Sequence, residues 1–333
     1  MRSHGFGLSL ILRRLLLPFV LPGALLLPNA FGQQLAGKPA PAGTACPLTS
    51  LGDLPEDGRG DYDPESIFAT DSSTPDPKQL GIASALVLAP GHALLDARQR
   101  FETAARQGYA PAQVNLGVFY LYGCGAPQNY GAALYWLTSA ADQGSSRAHT
   151  NLGILYLQGK GVKQDFGEAL RHFRVAANAG DAGAMINLGY MNDSGLGTPV
   201  NHAAAAAWYR LAAERGNPLA QNNLADLYLR GEGLPQNDAL AFAWFKKAAA
   251  SGNTGARIKL GFMYATGRAT RKDPETAYAW ILAASLAGDQ RGVEYLLPLE
   301  SQLSPSQLEQ AKRRAKQLRS TGKASGPESN FVQ

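Results

Sequence analysis

Apolar and small residues return along this chain with a fixed step of 36 positions. Ala112, Ala148, Ala184, Ala220 and Ala256 are followed by Leu116, Leu152, Leu188, Leu224 and Leu260. Then come Gly123, Gly159, Gly195, Gly231 and Gly267, Ala140 through Ala284 at the same step, and Gly144 through Gly288. No insertion breaks the register. Within the copy at 148–183, Ala148, Leu152, Leu155 and Tyr156 fall at i, i+4, i+7 and i+8, one face of a helix. Gly159 and Gly161 supply the positive φ that a helix end and a tight turn need. Asp165 is a helix cap, with Glu168 three residues on to complete a capping box. The cap position reads Asn129, Asp165, Asn201, Asn237 and Asp273. A second helix carries Ala169, His172, Phe173, Ala176 and Ala177 until Gly180 ends it.

Each unit is therefore helix, glycine loop, helix, turn. Such a unit cannot bury its apolar face alone, so copies must stack. The predicted fold is all-α, a solenoid of helical hairpins. Gly153 and Ala177 have a packing reason, because a larger side chain would hold two helices apart.

The motif Asn151-Leu152-Gly153, Tyr156, Gly159, Gly161-Val162, Asp165, Ala169, Phe173, Ala176-Ala177 and Gly180 resembles the Sel1-like repeat, a relative of the tetratricopeptide repeat. The resemblance covers residues 112–292, in copies at 112–147, 148–183, 184–219, 220–255 and 256–292. It implies a right-handed superhelix of antiparallel helix pairs that binds other proteins. Cysteine-rich relatives pair two cysteines in each repeat; this chain does not, so their disulfide framework does not transfer.

The flanks differ. Residues 1–32 read as a cleavable secretory signal peptide: Arg13-Arg14, an apolar run over 15–27, and Ala30-Phe31-Gly32 as small-x-small. That run is broken by Pro18 and Pro22, short of the ~20 apolar residues of a spanning helix. Ile11-Leu12 stand where a twin-arginine signal wants Ser or Thr, so the ordinary route is expected. The expected location is the periplasm or the outside. Residues 33–75, rich in Pro, Gly, Asp and Ser, read as a disordered linker. Cys46 follows Gly43-Thr44-Ala45 but lies far from the apolar core, which argues against lipid attachment.

Residues 76–111 hold a degenerate copy, with Leu80, Gly81, Ala97, Phe101, Ala104, Ala105 and Gly108 in register and the glycine loop lost. An atypical end unit suits an array whose outer face meets water. The third copy departs most: Asn192 replaces Tyr, and a run of alanines follows His202. Ala269 replaces the second loop glycine of the fifth. In the segment 293–320, Ser304-Pro305-Ser306-Gln307 cap a helix whose stripe is Leu308, Ala311, Ala315 and Leu318, expected to cover the last repeat. Lys312, Arg313, Arg314, Lys316 and Arg319 line its other side as a solvated face. Residues 321–333 form a tail.

Charge adds little. The formal +5 (31 basic minus 26 acidic) falls to +2 (28 minus 26) once Arg2, Arg13 and Arg14 leave with the leader. Nothing in that balance points to nucleic acid. No catalytic set emerges: the histidines, His4, His92, His149, His172 and His202, show no zinc spacing, and no phosphate loop or nucleophile elbow exists. His172 fills a slot that is Trp136, Trp208, Trp244 and Trp280 elsewhere, a packing substitute. No cofactor, metal or small-molecule substrate is expected. Cys46 and Cys124 are a candidate disulfide after export.

On each first helix a second face runs at i, i+3, i+7. It carries Asn115, Val118, Tyr122; Asn151, Ile154, Gln158; Asn187, Tyr190, Ser194; Asn223, Asp226, Arg230; and Lys259, Phe262, Thr266. In tetratricopeptide-like stacks the first helices line the concave groove, so the resemblance turns this ladder toward it. The repeated Asn is expected to make an interhelical hydrogen bond; the varying residues are where specificity would reside. Amides, aromatics and an Asp226/Arg230 set suit a protein or peptide. The expected function is a non-enzymatic adaptor of the cell envelope, in assembly, polysaccharide export or signalling. The alternative is an exported hydrolase of wall or β-lactam substrates, as in some cysteine-rich relatives.

Overall fold

The computed structural model describes residues 92–123 and 127–321. The leader, the linker, the first half of the degenerate copy, both cysteines and the tail lie outside them. Among the described residues there are thirteen α-helices and no strand. They are α1 (His92–Arg106), α2 (Ala110–Tyr122), α3 (Tyr130–Ala141), α4 (Ser146–Gln158), α5 (Phe166–Asn178), α6 (Ala182–Ser194) and α7 (His202–Glu214). Then come α8 (Pro218–Arg230), α9 (Asp238–Ala250), α10 (Thr254–Thr266), α11 (Pro274–Leu286), α12 (Leu296–Glu300) and α13 (Pro305–Thr321), with a 3-10 turn at Gln290–Tyr295. Each helix packs on its neighbours in sequence, so the pairs α2/α3 to α10/α11 stack as a solenoid.

The boundaries follow from caps. Asn129, Asp165, Asn201, Asn237 and Asp273 each accept a hydrogen bond from a backbone N–H three residues on. The first helices have caps of their own, Ser145, Asp181, Asn217 and Asn253. Gly159 ends α4 in the left-handed region at φ 67°, where a side chain would cost about 1 kcal/mol. The expected capping box at Asp165 is only half made. Glu168 turns away to pair with Arg171 at 2.7 Å, and the Asp165 N–H donates to the carbonyl of Tyr156 at 3.0 Å instead. That second bond ties the start of each second helix to the first helix of the same repeat, and recurs at Asn129, Asn201, Asn237 and Asp273.

Burial shifts along the stack. First helix α2 buries nine of its 13 residues against four of 12 in second helix α3, whereas α4 and α5 bury six each, and α11, covered by α13, buries eight to the six of α10. Their close approach needs small residues. A Cβ on Gly153 would lie 2.6 Å from the Phe173 ring, and one on Gly189 2.4 Å from Tyr209. Phe101 of α1 meets Phe119 edge-on at 5.6 Å, closing the near end of the stack. At the far end, Ala311 of α13 is fully buried beside Tyr278 and Ile281. Gln307 and Ser304 make a reciprocal capping box at 3.0 and 3.3 Å. Arg257, 2 % exposed, spans this joint: its guanidinium donates to the Ala249 carbonyl at 3.2 Å and to the Leu318 carbonyl at 2.9 Å. No described helix is long and apolar enough to cross a membrane.

Candidate functional site

The ladder of first-helix positions divides when side chains are placed. Asn115, Val118, Ile154 and Asn187 are buried, so the expectation that these positions are spare from packing is corrected for them. First helix α2 packs on α1, α3 and α4, and a strip at i, i+3, i+7 is too wide to stay clear of all of them. Tyr122, Asn151, Gln158, Tyr190, Asn223, Asp226, Lys259 and Phe262 are half-buried, and Ser194, Arg230 and Thr266 are exposed.

Asn151 and Asn187 do not bridge helices as expected, whereas the Asn223 side chain hydrogen-bonds the Tyr209 hydroxyl of α7. Asn151 and Asn187 donate through Nδ2 to the carbonyls of Arg147 and Gly183, four residues back on their own helices, at 2.8 and 2.9 Å. The Asp226/Arg230 set also resolves differently. Asp226 pairs with Lys259 of the next repeat. Arg230 lies 2.5 Å from Glu232 and 3.9 Å from Asp193 of the preceding repeat. Phe262 meets Tyr295 edge-on at 4.5 Å. The Thr266 hydroxyl donates to the Phe262 carbonyl at 2.8 Å. Gln158 stands apart: both its amide atoms are shielded from solvent, and neither has a partner among the described residues. Buried amides are ordinarily bonded, because an unmade hydrogen bond there costs ~1–3 kcal/mol.

Acid–base chemistry along the ladder is damped. Burial, and then the neighbouring Tyr130, push the Tyr122 phenol up to about 12. Burial also raises Tyr190 and Tyr209, so these hydroxyls stay protonated at neutral pH. An open recess of about 220 Å³ on α1 is lined by Gln99, Glu102, Thr103 and Arg106, where Glu102 and Arg106 pair at 2.6 Å.

The hairpins stacked in this way match the Sel1 repeat model five times, at residues 110–145, 146–181, 182–217, 218–253 and 255–289, more than half of the chain. The chain belongs to the Sel1 repeat family. Sel1 repeat proteins generally serve as protein-interaction scaffolds rather than catalysts.

Two solved structures share the fold. One is c5321, described as a protective antigen present in uropathogenic Escherichia coli strains displaying an SLR fold: 30% identity, TM-score 0.62, over 79% of this chain and 58% of that one. The chain thus spans little more than half the length of that relative. The other is a Sel1 repeat protein from Oxalobacter formigenes: 35% identity, TM-score 0.54, over 57% of this chain and 76% of that one. No curated protein matches the chain significantly.

Proposed function

We propose that this Sel1 repeat protein is a non-enzymatic adaptor that works outside the cytoplasm and holds a protein or peptide along its layer of first helices. One observation carries the reading. The buried alanines and leucines recur at every step of 36, Ala112 to Ala256 and Leu116 to Leu260, whereas the carboxy-terminal end of the ladder reads Tyr122, Gln158, Ser194, Arg230, Thr266 and repeats nothing. Framework needs sameness; a surface that recognises one partner needs difference. The binding face is then Tyr122, Asn151, Gln158, Tyr190, Ser194, Asn223, Asp226, Arg230, Lys259, Phe262 and Thr266.

Residues 1–32 carry the export half of the proposal, and the likeness to a protein described as a protective antigen supports it. Fractionation of cells making the chain with a carboxy-terminal tag tests export: the protein is expected outside the cytoplasm and shorter by the leader. Affinity capture from envelope extract tests the groove, with wild type compared against Gln158→Ala/Tyr190→Ala/Arg230→Ala. A partner is expected to be lost from the variant. Equal recovery of every partner by both would remove the groove.

A further inference from the structure

Where one repeat meets the next, three positions come together. They are the next-to-last residue of a first helix, the opening residue of the second helix, and the residue after the leading loop glycine of the following repeat. A Cβ on the second loop glycine of each following repeat would touch that opening residue: Gly161 against Tyr130, Gly197 against Phe166, Gly233 against His202. The first junction holds Leu121, Tyr130 and Lys160, and the second is wholly apolar with Leu157, Phe166 and Leu196. The fourth holds Leu229 with a closed ion pair, Asp238 to Arg268 at 2.7 Å. The third holds Asp193, His202 and Glu232.

That third junction breaks the pattern. Asp193 stands where the other copies carry Leu121, Leu157, Leu229 or Ala265. A half-buried carboxylate in an apolar slot loses hydration and needs a return for it. His202 Nδ1 lies 2.7 Å from Asp193 Oδ1, and ligand atoms of the three side chains all fall within 4.8 Å of one another. Arg230 is the cation on the spot, against Glu232 and 3.9 Å from Asp193. Two carboxylates and one guanidinium sum to −1 around the imidazole. A divalent ion in place of the guanidinium brings the three donors to neutrality.

We propose that Asp193, His202 and Glu232 bind a divalent transition-metal ion of the zinc class, clamping the third repeat to the fourth. One imidazole and two carboxylates are a donor set that zinc accepts, with a fourth position left for water. Zinc bonds of about 2.0–2.2 Å at tetrahedral angles put ligand atoms about 3.3 Å apart, so Glu232 closes by at most about 1.5 Å while the His202–Asp193 pair opens from 2.7 Å by about 0.6 Å. The Glu232 and His202 side chains are 36% and 34% exposed, free to make that movement, while Asp193 at 14% is the fixed member. Arg230 ends α8 with its side chain 30% exposed and swings to solvent. The site is independent of the adaptor reading, since it needs no partner protein.

The test uses variants that copy other repeats of the same chain, Asp193→Leu, His202→Phe and Glu232→Leu, each the residue found at that position in another copy. Purified, chelator-treated protein is titrated with zinc chloride by calorimetry and with cobalt chloride by visible absorption, with magnesium as control. One zinc per chain is expected, with a cobalt spectrum of tetrahedral nitrogen–oxygen ligation and no response to magnesium. Each variant is expected to bind about tenfold more weakly or worse. Circular dichroism checks the helices. No saturable binding by wild type at roughly a hundredfold excess of zinc over protein overturns the proposal. So does binding that Asp193→Leu and His202→Phe leave unchanged, which means adventitious metal on other histidines.

Discussion

Lowering the pH should loosen the second repeat more than any other, and His172 is the reason. The ring is 6 % exposed and stacks on Tyr156 at 5.6 Å. Its two nitrogens are both occupied: Nδ1 lies 2.8 Å from His149 Nδ1, and Nε2 lies 3.1 Å from the Arg171 guanidinium. A guanidinium only donates, so Nε2 must accept, and His172 then carries its proton on Nδ1 and donates to His149. A second proton would have to displace the Arg171 N–H and sit beside a fixed positive charge. Burial, then Arg171, then His149 lower the His172 pKa from 6.5 to about 4, against a weaker opposing pull from Glu168. Burial lowers His149 as well.

The sign follows from proton counting. Between pH 6.5 and about 4 the unfolded imidazole is protonated and the folded one is not, so the unfolded state binds more protons. Stability is then full above pH 6.5, falls as pH drops through that window, and levels off below about 4. A shift from 6.5 to about 4 amounts to about 3 kcal/mol at the bottom of the window. Urea unfolding followed by circular dichroism, from about pH 8 to about pH 4, measures it. The comparison is His172→Trp, which restores the residue of the other four clear copies and keeps every other titrating group. Wild type is expected to lose about 3 kcal/mol relative to the variant across the window. Parallel pH profiles, or a wild type that gains on acidification, would refute the assignment of a neutral, doubly engaged imidazole.

The backbone and the far joint give sharper contrasts. Ala269 holds the left-handed conformation at φ 58°, so Ala269→Gly is expected to stabilise by about 1 kcal/mol in denaturant titration. At the equivalent position Gly233, a Cβ would lie 2.2 Å from the His202 backbone, so Gly233→Ala is expected to cost about 2 kcal/mol or more in the same assay. Arg257→Ala removes the donor to the Leu318 carbonyl and is expected to cost about 2 kcal/mol, read as faster amide exchange over α13 than over α8. Asn237→Ala removes the cap of α9 and should lower stability by about 1 kcal/mol.

Much of this molecule is legible in one dimension. The spacing of Leu152, Leu155 and Tyr156 marks the first helix of a repeat, Gly159 its end, and Asp165 the start of the next, because caps and helical periodicity act over a few residues. The substitution of His172 for Trp was equally readable as packing. The partner of Glu168 was not: a capping box and an i, i+3 pair to Arg171 are both local options, and their competition is decided by the Asp165 N–H, already bonded to Tyr156. The ladder failed for a similar reason. Asn115 and Asn187 share a face with Ser194 and Arg230, but burial depends on neighbouring helices that periodicity does not describe.

Sequence by itself determined the repeat, the hairpin inside it and its stacking, since each rests on interactions that span at most one unit and recur. Only tertiary structure decided what meets across units. Asp193 and His202 are nine residues apart and Glu232 comes from the next copy, so no motif spacing announces them. Asp226 finds Lys259 rather than Arg230 for the same reason. Stacking sets these encounters through the distance between repeats, a length no pattern within one repeat contains.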